Sequence, residues 1–141
     1  MKDSSSFQYH IEQACEPLLN ELDDLITWQW DEHLSCLLAE FSVDHAQFVY
    51  LHVQKHFPHV WDKKSIKSAD PLLKHRAGFF NALKKNQQLL TQDTTGQHDI
   101  MASWWPWGHG ATVSVRLFQV SNLPYQAPSG LFRRLTGWAR T

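Results

Sequence analysis

The sequence predicts a single α+β domain: about four helices, followed by a C-terminal antiparallel β-hairpin packed against them. Three observations carry this. Apolar residues recur at helical spacing through most of the chain before residue 90. Residues 111–118 instead alternate strictly between apolar and polar. The length, 141 residues, suits one domain and is enough to bury a core without metals or disulfides.

The first helix is expected over residues 7–26. Phe7, Ile11, Ala14, Cys15, Leu18, Leu22, Leu25 and Ile26 fall on one stripe, with Ser4–Ser6 as candidate caps. Pro17 lies inside it and should bend it, but the stripe keeps its phase, which favours one kinked helix. The segment TWQW (27–30) breaks the pattern. Asp31 can cap a second helix on which Trp30, Leu34, Leu37, Leu38 and Phe41 form the stripe. Ser42 can cap a third, with Ala46, Val49, Tyr50, Val53 and Phe57 as its apolar face, stopped by Pro58.

Residues 58–69 read as a basic connector. Asp70 and Pro71 then start a fourth helix, lined by Leu72, Leu73, Ala77, Phe80, Leu83 and Leu90; Gly78 weakens it. Residues 91–99 are a loop. IMASWW (100–105) and ATVSVRLF (111–118) are the strands of the hairpin, joined by PWGHG. A lone hairpin is marginal in water, so TWQW or a second subunit is expected to add a strand. The domain is drawn over residues 1–120. Residues 121–141 read as a Pro-containing linker followed by a short amphipathic segment, with Leu131, Leu135 and Trp138 on one face and Arg133, Arg134 and Arg140 around it.

Charge is unevenly distributed. Residues 1–62 hold two lysines against eleven acidic residues, and residues 63–85 hold seven basic residues against Asp70 alone. Overall the net charge is only -1, which speaks against a dedicated nucleic-acid binder. Charged residues make up 19%, below the roughly 25% usual for soluble domains. The surface must then carry more neutral or apolar groups, which suits a partner surface. The start of the chain, MKDSSSFQYH, has no apolar leader, and no run approaches a membrane span; the expectation is a cytoplasmic protein. Cys15 and Cys36 form no C-x-x-C and read as buried free thiols.

No nucleophile elbow, phosphate-binding loop, dinucleotide fingerprint or calcium loop is present, and no catalytic residues are assigned. Four features remain. The chain has seven tryptophans, and Trp104, Trp105, Trp107, His109 and Trp138 form the candidate ligand or partner surface. PWGHG itself reads first as a stiff turn. His45, His52 and His56 share one stripe of the third helix, and a divalent metal there is the one cofactor considered; boundary histidines without a ligand are the simpler reading, and a pH-sensitive interface lies between the two. Lys63, Lys64, Lys67, Lys74 and Arg76 form a candidate anion-binding run, for which a solvated face is the simpler reading. The C-terminal segment suits docking on its own domain or on a partner better than membrane binding.

The function these features favour is a small, non-catalytic interaction or regulatory domain with a protein partner or a second copy. The alternatives are a small-molecule pocket or small enzyme walled by the Trp-rich hairpin and the His-bearing helix, and a weak nucleic-acid binder through residues 63–85.

Overall fold

A computed structural model describes residues 4–125. Among them, six strands form one antiparallel sheet and four α-helices cover it. In chain order these are α1 (Ser4–Ala14), α2 (Glu16–Leu22), β1 (Gln29–Asp31), β2 (Cys36–Ser42), α3 (Ala46–His56), β3 (His59–Trp61), α4 (Pro71–Ala77), β4 (Gln88–Thr91), β5 (Ile100–Pro106) and β6 (Thr112–Gln119). The spatial order of the strands is β1-β2-β6-β5-β4-β3.

This corrects the expected fold class. The strands are spread through the chain and do not follow four helices as a terminal hairpin. The expected second helix is where the reading fails first. Residues 36–42, CLLAEFS, form β2, paired along its whole length with β6. Leu37, Ala39 and Phe41 point to one face, while Cys36 and Leu38 are buried on the other. A strand buried on both faces reads as a continuous apolar run, and its periodicity then cannot be told from that of a buried helix.

The other departures have local causes. The kinked first helix is two helices, broken at Cys15 (φ -108°, ψ 14°), with Pro17 in the opening turn of α2 where its missing N–H costs nothing. The fourth helix stops at Ala77. Asp70 caps it as expected, its carboxylate accepting from Leu72 N at 2.8 Å, which contributes ~1 kcal/mol. Gly78 (φ +58°) then turns the chain into a 3-10 turn over Gly78–Asn81, and Leu90 belongs to β4. The basic connector contains β3 and a second 3-10 turn, Ser65–Ser68. The third helix does follow Ser42, whose hydroxyl accepts from Asp44 N at 3.1 Å ahead of a 3-10 turn that leads into α3.

The hairpin of β5 and β6 is present, with Trp104 opposite Val115 and Pro106 opposite Val113. It lies inside the sheet. TWQW does supply strand residues, but β1 pairs with β2 at the sheet edge and forms no ladder with the hairpin.

The sheet has a core on each side. Ile11, Leu18, Leu22, Val49, Val53 and Phe57 from α1–α3 and their boundaries pack on Leu37, Val115, Leu117 and Ala102. On the opposite face, Ile66, Leu73, Ala77 and Phe80 pack on Leu89, Met101 and Phe118. The helices of the acidic first part, α1–α3, and the basic run therefore pack on opposite sides of the sheet. Both cysteines are free and buried. No helix among the described residues is long and apolar enough to cross a membrane. The C-terminal amphipathic segment lies outside the described residues.

Gly96 ties the loop before β5 to α4. Its φ is +83°, and a Cβ there would lie 2.5 Å from Leu73 Cα and 2.8 Å from Leu73 N. Neither backbone atom can yield cheaply. Gly96→Ala should therefore lower the urea midpoint by the equivalent of about 2 kcal/mol or more, whereas Gly108→Ala, with open space around it, should change it by less than about 0.5 kcal/mol. Equal midpoints for the two variants would contradict this packing.

Candidate functional site

The tryptophans of the hairpin divide between the two faces, as successive residues of a strand must. Trp104 enters the α1–α3 core, 4.9 Å edge-on from Tyr50 and 5.8 Å from Phe41. Trp105 faces the α4 side. There the Arg116 guanidinium lies 4.3 Å from its ring centroid, a contact worth ~0.5–2 kcal/mol. Arg116 Nε is also 3.6 Å from Asp31 Oδ2, so the edge strand β1 is held to β6 by charge.

Trp107 and His109 occupy the turn between the strands. Trp107 Nε1 donates to Ser114 Oγ at 2.7 Å, and the Ala111 N–H donates to His109 Nδ1 at 3.0 Å. These bonds account for PWGHG as a braced turn. Trp104 is thus buried on the α1–α3 side of the sheet, while Trp105, opposite Ser114 in the ladder, and Trp107, bonded to Ser114, meet at the same residue; Trp138 lies outside the described residues.

The histidine stripe meets a residue that the sequence did not single out. Glu21 of α2 reaches across to α3 and accepts from His52 Nδ1 at 2.8 Å, His56 Nε2 at 3.1 Å and Lys55 Nζ at 3.1 Å. The hydrogen bond from His52, then that from Lys55, hold the Glu21 carboxyl well below its ordinary value of 4.5, at about 2; burial opposes them, and His56 adds a lesser lowering. His45 stands apart at the start of α3, beside Asp24 and Phe48. No group of three or more His, Cys, Asp or Glu side chains suited to a metal ion occurs among the described residues.

The basic run is also partly engaged. Arg76 donates to Gly96 O at 2.9 Å and to Asp99 Oδ1 at 3.3 Å, which pins the loop before β5. Lys74 Nζ donates to Lys67 O at 3.2 Å. Lys63 and Lys64 are exposed on the connector.

A groove of about 430 Å³ lies where the 3-10 turn after α4 meets the end of β6. Leu34, Phe79, Phe80, Phe118, Val120 and Leu123 are among its walls, and no charged side chain lines it. Its floor is aromatic. Phe80 stacks on Phe118 at 4.0 Å and packs on Trp105 at 5.7 Å behind it. Its rim is open, with Phe79 64% exposed and Leu123 72% exposed. The chain leaves along this rim. His75 Nε2 donates to Leu123 O at 2.8 Å, its ring lies 5.2 Å from Tyr125, and Ser121 N donates to Arg76 O.

Comparison with protein-family models, with curated proteins and with solved structures gives no match.

Sequence reasoning missed this groove because its walls come from four separate places in the chain. One local signal existed: Gly78 followed by two phenylalanines. A glycine that ends a helix turns the next residues out of register, so Phe79 and Phe80 cannot both follow the buried stripe. Glu21 carried no signal, because its partners are more than thirty residues away.

The Glu21 contacts set a pH dependence. A carboxylate with a depressed folded-state pKa adds stability above its unfolded value and loses it as pH falls through the folded one. Here that window runs from about pH 4.5 down to about 2. Asp62 and Asp93 are also lowered, by hydrogen bonds to nearby backbone and side-chain groups, and contribute in the same direction. The urea midpoint of the native chain should therefore fall more steeply across this range than that of Glu21→Gln, in which the two aspartates remain. Parallel curves would show that Glu21 adds nothing to the α2–α3 contact.

Proposed function

We propose that this chain is a protein-interaction or regulatory domain that binds a partner's apolar segment in the groove between the Gly78–Asn81 turn and the end of β6. The observation that carries the reading is the pairing of an aromatic floor with two exposed apolar rim residues, Phe79 and Leu123. Large apolar side chains gain from removal from water, at roughly 1.5–3 kcal/mol for each one fully buried. Aromatic anchors on a rigid surface carry much of the energy of protein contacts. The absence of charge from the walls supports an apolar ligand face over a phosphate or a carboxylate.

A photo-crosslinking phenylalanine analogue at position 79, compared with the same analogue at the exposed Phe48 of α3, tests this in the native cell. Position 79 should yield a discrete adduct with another protein, absent at position 48 and lost when Leu123→Asp is added. Adducts of the same kind at both positions, or none at 79, would overturn the reading. Phe79→Asp should itself leave stability within about 0.5 kcal/mol of the native chain, because the ring is mostly exposed.

A further inference from the structure

We infer that, in the free protein, the groove is filled by this chain's own residues 131–141, which a partner must displace. The inference rests on the groove being a partner-binding surface and names what regulates it. Three observations lead to this occupant.

The first is where the described chain ends. Leu123 is part of the groove, and Tyr125 is held against His75 on the same rim. Residues 126–130, QAPSG, intervene, so residue 131 lies within about 22 Å of Tyr125, six residues on at ~3.6 Å each. Such a tether sets an effective concentration on the order of millimolar, far above that of any free partner.

The second is pattern. Leu131, Leu135 and Trp138 stand at i, i+4 and i+7, the spacing that puts them on one helical face. Two leucines and an indole are what an apolar groove with aromatic walls accepts.

The third is charge. Arg133 and Arg140 fall off that face, and Arg134, three residues after Leu131 and four before Trp138, borders it. The groove walls carry no charge, so nothing there would pair with an arginine, and these side chains stay in water when the apolar face is seated. The arrangement favours one orientation of the segment. The α2–α3 surface around Asp24, Asp44 and Phe48 is the rival seat on charge grounds, but it lies at the opposite end of β2 from Leu34 and Ser35, where the groove begins.

The test uses the full chain with Thr141→Cys carrying a nitroxide label. Cys15 and Cys36 are buried, and burial pushes both thiols up to about 12, so the label goes to position 141. Amide signals of Ala77, Phe79 and Val120 should broaden, and those of Phe48 and Leu51 should not. The broadening should be lost when Leu135→Asp and Trp138→Asp are introduced together, which removes the apolar face without touching the described core. Equal broadening with and without that face would show a tethered but unseated tail and overturn the inference. Broadening that appears only between labelled and isotope-enriched molecules in a mixture would overturn it too, by making the occupant a second copy. Failure here is separable from failure of the partner reading. A crosslink from position 79 only to residues 131–141 would keep the internal occupant and remove the partner.

Discussion

Four strands of this protein must be kept dry on both faces, and the rest of the chain is arranged around that requirement. β2, β6, β5 and β4 are the interior strands of the sheet, and they carry apolar side chains up and down: Leu37 against Cys36, Leu117 against Phe118, Ala102 against Met101, Leu90 against Leu89. Neither face can be left in water. One is covered by α1–α3. The other is covered by the much shorter α4 and its flanking 3-10 turns. The short cover is what leaves a groove, because seven helical residues and two turns do not reach the whole of the β6 end.

Several polar groups join elements that are distant in the chain. Arg116 lies under Trp105 and beside Asp31, so it links β6 to the edge strand without an exposed salt bridge. Trp61 Nε1 donates to Thr91 Oγ1 at 3.0 Å across β3 and β4, at the other edge. Glu21 performs the same task outside the sheet, gathering His52, Lys55 and His56 to hold α2 on α3. Both edge strands are three residues long, which limits pairing with another chain at the sheet edges and directs attention to the groove.

The candidate site is thus a consequence of how the chain is capped and turned. Gly78 ends α4 with a positive φ, and the following Phe79 and Phe80 are sent in different directions: one ring onto Phe118, the other to the rim. Pinning of the chain by His75 and Arg76 then brings Leu123 to the opposite lip.

Local chemistry was legible from the sequence alone. The Asp70–Pro71 helix start, the Ser42 cap, the alternation of Val113, Val115 and Leu117, and the five-residue turn with its braced Trp107 each depend on neighbours within a few residues, and each is found where its own chemistry puts it. Tertiary structure decided the rest. Whether CLLAEFS is a helix or a strand depends on β6, seventy residues later, because a segment buried on both sides shows no period of its own. Glu21 and the groove walls depend on contacts between distant elements for the same reason. Spacing along the chain reports which side chains share a face, but only the packed layers determine what that face meets.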